Sequence, residues 1–483
     1  MINDATPDQV EQTMQQAWKA FHIYRKFSLK QRADLLRSIA TELEKITSTV
    51  IETAMQETNL PETRLRNELN RTEYQLNFYA DAAEQGLASE IRIDTNKINL
   101  RKMNVPIGPV IVFGASNFPF AYSTAGGDTA CALAAGCPVI VKAHPAHAAT
   151  SELVAEAILS ATSKSNLPQG VFSHLHGTGF EVGEALVKHN YTKAVGFTGS
   201  YLGGKQLFEW GGQRKEPIPV FAEMGSVNPV FLFPEKLKLS GTEIAKSYAS
   251  SITLGVGQFC TNPGLIIGLE SDKLQDFIQS LGEQIKQTEP ATMLHTGIFK
   301  SYVEKRANAL AQEQVEMIAA AEKEPQFNQA TPTIASATGE AFLNNPILHQ
   351  EVFGPYSLVI RCKDETEMLN VAKHLEGQLT ATVMATETDL SYHEELLEQI
   401  KNLCGRFILN GVPTGVEVAW AMQHGGPFPA TTDSRFTSVG PDGIKRFSRP
   451  VCYQGWPDHL LPDELKDANP LGIWRFVNNE WCK

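Results

Sequence analysis

The stretch Pro109-Val110-Ile111-Val112-Phe113-Gly114 is a continuous apolar run that ends in a glycine. Four similar runs follow it, and segments with helical patterns separate them. Buried apolar strands that alternate with helices are typical of a parallel sheet covered on both faces. The stretch therefore predicts an α/β fold built on a parallel sheet. The four later runs are Pro138–Lys142, Val171–Leu175, Ala194–Thr198 and Pro219–Met224.

Four of these predicted strands lead directly into residues that could bind a ligand. Open parallel sheets bind their ligands beyond the carboxyl ends of the strands. Because these ends meet at one edge, we expect the residues there to share a site. They are Asn117, Lys142, Gly199 and Glu223.

The segments before and after the predicted sheet have other patterns. Residues 7–86 favour helices, because cap residues precede apolar stripes at helical spacing. Residues 88–106 and 445–456 contain alternating patterns that predict short strands. These strands either pair into a projecting element or form two ordinary edge strands.

The second half of the chain repeats a mixed pattern of strands and helices over residues 231–430. Within it, Lys300–Glu322 is predicted to be one helix. The segment after Trp456 is polar and contains several prolines. We expect it to pack on the surface.

Length, charge and cysteine content limit the functions to be considered. A chain of 483 residues is too long for one core and predicts two or three domains. The net charge of −12 argues against a nucleic-acid partner. Seven cysteines without regular spacing indicate a reducing compartment. No apolar run reaches the ~18 residues of a membrane span, and Met1–Ala5 has no signal-peptide start. We expect a cytoplasmic soluble protein without a metal.

One cysteine lies in Val256-Gly257-Gln258-Phe259-Cys260-Thr261-Asn262-Pro263-Gly264, between small residues and a turn signal. Glycine permits unusual backbone angles and close approach of a ligand. A thiol at such a turn near a helix end could be a stabilised, nucleophilic thiolate. The alternative is a small buried hydrophobic residue, as most single cysteines are.

Glu223 and Asn117 are candidates for acid–base and oxyanion roles. Glu223 ends an apolar strand, where burial would raise its pKa toward that of a useful base. Asn117 could donate to a developing oxyanion. The alternatives are an exposed loop carboxylate and an Asn turn before a proline.

Two further stretches suggest a nucleotide-like ligand. Gly199 to Lys205 matches a phosphate-binding glycine pattern, but Gln206 replaces the Ser or Thr that would bind Mg²⁺, which weakens an NTPase assignment. The milder interpretation is a strand-to-helix turn that holds a pyrophosphate. The carboxylate of Glu351 could bind a ribose, and the ring of Phe353 could pack against a flat ring. The alternative is a loop with one buried phenylalanine.

Taken in order, these motifs resemble the signature motifs of the aldehyde dehydrogenase superfamily over nearly the whole chain. The fuller strings Phe113–Pro119, Ala125–Ala130 and Gly411–Val418 are similar to the branch of α-ketoglutarate semialdehyde (2,5-dioxopentanoate) dehydrogenases and an NADP-dependent fatty aldehyde dehydrogenase. The motifs are Ser116–Pro119, Lys142, Phe197–Ser200, Glu223–Gly225, Gly257–Cys260 and Glu351–Pro355.

The resemblance implies roles for individual residues. Cys260 attacks the aldehyde to form a thiohemiacetal, Asn117 stabilises its oxyanion, and Glu223 activates water to hydrolyse the thioester formed after hydride transfer. The implied substrate is 2,5-dioxopentanoate, with a long-chain aldehyde as the alternative. A thiol esterase and a non-catalytic protein on the same fold are further alternatives. The implied cofactor-binding residues are Lys142, His144, Gly199, Ser200, Gly204, Glu351 and Phe353.

The sequence departs from the family at two positions that bear on chemistry. Members of the family often have an acidic residue that binds the hydroxyls of the adenosine ribose, and Pro145 stands at that position here. We therefore predict that NADP⁺ is preferred and NAD⁺ is possible, with Lys142, His144 and His147 offering charge or donors to a 2′-phosphate. Ser438 replaces a second glutamate, so a proton relay through that position is not expected.

The resemblance also implies domains and a homodimer or homotetramer. The projecting strands become an oligomerisation element. The predicted parts are 1–87 and 107–229 (cofactor-binding domain), 88–106 (oligomerisation strands), 230–430 (catalytic domain), 431–444 (return to the cofactor-binding domain), 445–456 (oligomerisation strand) and 457–483 (C-terminal tail).

Overall fold

The computed structural model of the protein describes residues 3–483, in which helices and strands alternate along most of the chain. The helices, in chain order, are α1 Pro7–Tyr24, α2 Leu29–Lys45, α3 Thr47–Thr58, α4 Glu62–Glu84, α5 Gly127–Ala135, α6 Ala148–Lys164, α7 Glu181–Lys188, α8 Tyr201–Gly212, α9 Pro234–Thr253, α10 Asp272–Gln287, α11 Thr296–Leu310, α12 Gly339–Asn344, α13 Glu365–His374, α14 Glu387–Tyr392 and α15 Glu394–Leu403. The strands are β1 Arg92–Asp94, β2 Leu100–Pro106, β3 Val110–Phe113, β4 Val139–Lys142, β5 Phe172–Leu175, β6 Ala194–Thr198, β7 Val220–Glu223, β8 Val230–Leu232, β9 Leu265–Leu269, β10 Ala291–Thr292, β11 Glu316–Ala320, β12 Gln329–Ala330, β13 Thr333–Thr338, β14 Tyr356–Cys362, β15 Gln378–Met384, β16 Cys404–Leu409, β17 Ser448–Gln454, β18 Arg475–Val477 and β19 Glu480–Cys482.

The five predicted apolar runs form one sheet in the order β5-β4-β3-β6-β7, and every neighbouring pair is parallel. This confirms the α/β prediction. After β3 the chain first builds one side of the sheet and then returns to the other side at β6. Such a reversal leaves a crevice beyond the carboxyl ends of β3 and β6, where ligands bind.

A second sheet has the order β11-β13-β14-β9-β8-β15-β16, and only its β11–β13 pair is antiparallel. The predicted helix Lys300–Glu322 is partly wrong. Helix α11 ends at Leu310, Gln314 has a positive φ of 62°, and the chain then pairs as β11 with β13. Pairing with a distant strand therefore decides the conformation of this segment.

The third sheet has the order β17-β2-β1-β18-β19. Strands β17 and β2 pair antiparallel along their length, which confirms that the two predicted segments meet. Residues 445–447 are not strand, because they lie in a 3₁₀ turn that ends at Phe447. The C-terminal segment does more than pack on the surface, since it supplies β18 and β19.

A buried core of small side chains positions the parallel sheet. Helix α5 consists largely of alanine and glycine, and most of its residues are fully buried. Small residues let this helix approach the sheet closely, where bulkier side chains would force it away. None of the described helices is long and apolar enough to cross a membrane.

Candidate active site

Cys260 follows a strained turn. After helix α9, Gly255, Val256 and Gly257 have positive φ values of 55°, 60° and 64°. This conformation is a clear outlier for a β-branched valine, so the surrounding structure must hold it. A Cβ on Gly257 would lie 2.3 Å from the carbonyl carbon of Gly354, so no side chain fits there. Packing against this neighbouring loop therefore fixes the position of Cys260.

The thiol of Cys260 belongs to a compact cluster with an imidazole and a carboxylate. Its Sγ lies 3.6 Å from Nε2 of His424, and this nitrogen lies 3.1 Å from Oε1 of Glu223. The side chains of His424 and Glu223 are 0% and 3% exposed. The hydroxyl of Ser438 donates to Oε2 of Glu223 over 2.6 Å. Nucleophile, imidazole and carboxylate are therefore within reach of one another.

Sequence analysis does not identify His424 as a site residue. It lies in the irregular segment between β16 and β17 and is one of twelve histidines. A cysteine paired with a distant histidine is a signature of thiol nucleophiles, but spacing alone does not show which histidine folds back. The bridge between Glu223 and Thr431 brings this segment to the end of β7.

The pKa values within the cluster differ from those expected from the sequence. Burial acts to raise the pKa of Glu223, but the charge of His424 and the hydrogen bonds from His424 and Ser438 bring it below its ordinary value. The expectation of a raised pKa for Glu223 is therefore wrong. Burial and then the carboxylate of Glu223 raise the pKa of Cys260 well above its usual value. The expectation of a stabilised thiolate is also wrong, and the thiol must pass its proton to a neighbour before it attacks.

Asn117 lies where it can serve an oxyanion beside Cys260. One N–H of its side-chain amide donates to the carbonyl of Gln258 over 3.1 Å. An amide group has two N–H bonds, so the second is available to another acceptor. Its backbone carbonyl accepts from Arg64 over 2.7 Å, which holds the loop in place.

A cavity of about 400 Å³ opens beside Cys260 and reaches the carboxyl edge of the parallel sheet. Of the predicted cofactor residues, Gly199, Ser200, His144, Glu351 and Phe353 line this cavity. Ser200 caps helix α8 by accepting from the N–H of Gly203 over 3.2 Å. The N-terminus of this helix therefore offers backbone N–H groups and a positive dipole end, which suit a pyrophosphate.

Gly204 has a packing role in the structure and does not line this cavity. A Cβ on Gly204 would lie 2.5 Å from Cγ of Met224. The glycine thus lets helix α8 approach the loop after β7, and its contact with a cofactor stays a prediction. The neighbouring Gly203 lines the cavity instead.

Glu351 and Phe353 line the same cavity as Ser200 and Cys260. Burial raises the pKa of Glu351 to about 7, against the opposing charge of Lys305. A Cβ on Gly225 would lie 2.7 Å from Oε2 of Glu351, so the absence of a side chain leaves room for this carboxylate. A carboxylate, an aromatic ring and a helix N-terminus around one cavity fit a dinucleotide.

The histidines near Lys142 do not carry the positive charge expected from the sequence. Burial, followed by the charges of His147 and Lys142, lowers the pKa of His144 to about 3. His147 is fully buried, and its Nε2 lies 2.8 Å from the carbonyl of Ala115. Both rings are therefore neutral at physiological pH and could offer hydrogen bonds only.

A carboxylate outside the predicted motifs lies near Lys142. Asp4 accepts from the N–H and the hydroxyl of Thr178 over 2.9 and 2.8 Å. Its charge acts on Lys142, while burial lowers the pKa of that lysine. Lys142 itself does not line the cavity but ends strand β4 beside it. The lysine and the aspartate therefore place opposite charges at this end of the site.

Comparison with known proteins agrees with this architecture. The Aldehyde dehydrogenase family matches residues 1–447. The chain is 47% identical to an alpha-ketoglutaric semialdehyde dehydrogenase of Acinetobacter baylyi, covering 99% of this chain and 92% of the relative. It is 46% identical to alpha-ketoglutaric semialdehyde dehydrogenase 2 of Azospirillum brasilense, covering 97% and 90%. The chain belongs to the aldehyde dehydrogenase family.

Solved structures of more distant relatives have the same fold. A 1-pyrroline-5-carboxylate dehydrogenase from Thermus, solved with bound NAD, has a TM-score of 0.78 at 21% identity and covers 93% of this chain and 86% of its own. A methylmalonate-semialdehyde dehydrogenase from Oceanimonas doudoroffii has a TM-score of 0.80 at 16% identity, covering 94% and 92%. The protein is thus an NAD(P)-dependent aldehyde dehydrogenase by family membership, and these likenesses support the fold.

Proposed function

We propose that this enzyme oxidises 2,5-dioxopentanoate to 2-oxoglutarate. The observation that carries the substrate is the identity of 47% and 46%, over nearly the full chain, to two enzymes named for α-ketoglutaric semialdehyde. The overall reaction consumes the aldehyde, one water and the oxidised cofactor. It yields the carboxylate, the reduced cofactor and two protons.

We assign the first chemical step to Cys260 and His424. The raised pKa of the thiol means that its proton must leave as attack begins. Nε2 of His424 lies 3.6 Å away and takes that proton in the tautomer that carries its hydrogen on Nδ1. The imidazolium so formed donates its new Nε2–H to Oε1 of Glu223, 3.1 Å away, which keeps that carboxylate ionised for the later step. The sulfur then bonds to the aldehyde carbon, which gives a thiohemiacetal. The free N–H of Asn117 and the backbone N–H of Cys260 stabilise its oxyanion. When bound along the cavity lined by Ser200, Glu351 and Phe353, a nicotinamide cofactor would supply the hydride acceptor, and Cys260 would then carry a thioester.

We assign the hydrolysis of this thioester to Glu223. Its lowered pKa keeps it ionised at neutral pH, so it can take a proton from water. The hydrogen bond from Ser438 occupies Oε2 and leaves Oε1 directed toward His424. The water oxygen bonds to the acyl carbon as its proton passes to Glu223, the carbon–sulfur bond breaks, and the departing thiolate takes back the proton held on Nε2 of His424.

We propose that NADP⁺ is preferred over NAD⁺. The preference rests on Pro145 and Lys142, without the positive charge that the sequence suggested for the two histidines. Pro145 presents no carboxylate to a 2′-phosphate, and Lys142 remains a cation close to it in sequence. The neutral His144 and His147 remove part of the expected attraction, and Asp4 opposes it. One charge-assisted bond of ~1.5 kcal/mol corresponds to a preference of roughly tenfold.

A panel of aldehydes with both cofactors tests this function. The absorbance of the reduced nicotinamide should rise fastest with 2,5-dioxopentanoate and NADP⁺, and Cys260→Ser should abolish the rise. A higher kcat/KM for a saturated long-chain aldehyde would overturn the proposed substrate. A KM for NAD⁺ at or below that for NADP⁺ would overturn the proposed cofactor preference.

A further inference from the structure

Two buried hydrogen-bond donors beside the reactive cluster lack a partner at full hydrogen-bond geometry among the described residues, although the guanidinium and the phenol that carry them interact with each other. They are the hydroxyl of Tyr122 and Nη1 of Arg71. Buried polar groups are nearly always satisfied, and Tyr122 lines the cavity, so a ligand there could satisfy these donors. Burial raises the pKa of Tyr122, so its hydroxyl keeps its proton and can donate.

The positions of these donors connect them to the reaction. Tyr122 lines the same cavity as Cys260, and its ring centre lies 6.3 Å from that of His424. The guanidinium carbon of Arg71 lies 5.4 Å from the ring centre of Tyr122. Arg71 and His424 of the reactive cluster therefore both approach the same aromatic ring.

A second arginine approaches the same region from the seven-stranded sheet. Arg406 on β16 interacts electrostatically with both Cys260 and Tyr122, and its Nε is also buried without a partner. It donates to the carbonyls of Pro413 and Gly415, while Arg71 donates to the next carbonyl, that of Val416, over 3.4 Å. Two arginines thus hold one short loop, and each keeps a nitrogen free.

The charges around these donors favour an anion. Arg64, Arg71 and Arg406 are the cations of this region, and Glu68 is the carboxylate that faces Arg64 and Arg71. Its Oε1 already accepts from the backbone N–H groups of Phe120 and Ala121 over 2.8 and 3.0 Å. Burial also raises the pKa of Glu68. The ionised carboxylate of Glu223 also acts on Tyr122, so two carboxylates face three guanidinium groups and a positive charge is left over.

We propose that Arg71 and Tyr122, supported by Arg406, bind the carboxylate of an ω-oxo acid substrate and so select anionic aldehydes over neutral ones. A guanidinium matches a carboxylate with two parallel N–H bonds, and a phenol adds a third donor. The inference rests on the proposed function, in which the substrate has a carboxylate at the end remote from the aldehyde. It assigns the recognition of that end to three side chains.

The test compares aldehydes that differ in charge. In Arg71→Met, kcat/KM for 2,5-dioxopentanoate and for succinic semialdehyde should fall roughly 30- to 100-fold, mainly through KM, because a bond to a charged group is lost. The value for pentanal should stay within about threefold of the parent enzyme. Tyr122→Phe should lower only the values for the two anionic aldehydes, by about fivefold. Arg71→Lys should recover part of the loss, since it restores the charge.

Arg66→Met is the matched control, because Arg66 is on the same helix, is exposed and pairs with Glu62. It should leave all three substrates unchanged. An equal loss for pentanal in Arg71→Met would show a structural role and overturn the proposal, as would an unchanged preference for the anionic aldehydes. If the parent enzyme prefers succinic semialdehyde to 2,5-dioxopentanoate, the proposed substrate fails while the test of Arg71 still stands. If it prefers no anionic aldehyde over pentanal, both fail.

Discussion

The hydroxyl of Ser438 donates to Oε2 of Glu223 over 2.6 Å, at the position where the family often has a second glutamate. A second carboxylate there would repel Glu223 and raise its pKa. The serine has the opposite effect, because its hydrogen bond stabilises the ionised form. Ser438 therefore supports the base directly and replaces a proton relay with a fixed hydrogen bond.

Ser438→Ala should move the acid limb of the pH–rate profile to higher pH. The carboxylate of Glu223 is the active form, and its activity disappears as pH falls through its pKa. Since the lost hydrogen bond had lowered that pKa, the variant must lose activity at a higher pH. At neutral pH, kcat should fall by no more than about fivefold. Ser438→Thr, which keeps a hydroxyl, is the control, and an unmoved limb in Ser438→Ala would contradict the assignment.

Glu223→Gln should separate the two halves of the reaction. The glutamine keeps the shape of the side chain but cannot take a proton from water. We expect a burst of reduced cofactor followed by a steady rate that is slower by roughly 10²- to 10⁴-fold. Rapid-mixing absorbance measures both phases. Equal loss of burst and steady rate would assign Glu223 to acylation instead.

His424→Asn should slow the burst of reduced cofactor, which Glu223→Gln leaves in place. It removes the imidazole that lies 3.6 Å from the thiol, so the burst itself should slow by roughly 10²- to 10³-fold. The rate at which a thiol-specific reagent modifies Cys260 should fall as well, because the proton acceptor is lost. His349→Asn serves as the control, since its Nε2 lies 2.8 Å from the backbone carbonyl of Phe342 in helix α12 and His349 does not line the cavity. An unchanged burst in His424→Asn would show that another group accepts the proton.

Asp4→Asn should raise the preference for NADP⁺. The change keeps an acceptor for Thr178 but removes the charge that acts on Lys142. Because Asp4 is exposed, the ratio of kcat/KM for NADP⁺ to that for NAD⁺ should rise by only about threefold. Asp8→Asn, at the start of helix α1, is the control. A constant ratio would exclude Asp4 from cofactor selection.

We expect the protein to form a homodimer or homotetramer. The third sheet leaves β17 and β19 as edge strands, and Trp456, Trp474 and Trp481 are 48%, 51% and 61% exposed in the single chain. Exposed aromatic side chains near strand edges are suited to an interface. Light scattering at micromolar concentration should give two or four times the mass of one chain, and the mass of a single chain would refute the expectation.

The parallel sheet could be predicted from the sequence because its strands are buried on both faces. Runs such as Val110–Phe113 and Val139–Lys142 therefore carry an apolar signal that does not depend on distant contacts. The segment Lys300–Glu322 lacks such a signal. Its second half becomes β11 only because β13, from later in the chain, offers a partner.

The chemistry of the site could be predicted less well from the sequence. The pKa values of its side chains depend on burial, and burial is determined by the whole fold. Cys260, Glu223 and Asn117 could be placed through ordered motifs, and the structure brings them to one cavity. The pKa of His144 could not be read from its neighbours in sequence, because burial is the main cause of its fall. His424 lies in an irregular segment, and only the folded chain shows which residues it meets.

The contact between Gly257 and Gly354 links the position of the nucleophile to that of Glu351. The turn before the nucleophile touches the loop that bears Glu351 backbone to backbone, with no space for a Cβ at Gly257. A substitution there displaces both the thiol and the carboxylate next to the cavity, so reactivity and cofactor affinity would change together. Under the proposed carboxylate subsite, variation intended to alter substrate choice alone belongs at Arg71 and Tyr122, since the nearest neighbours of these two glycines lie elsewhere.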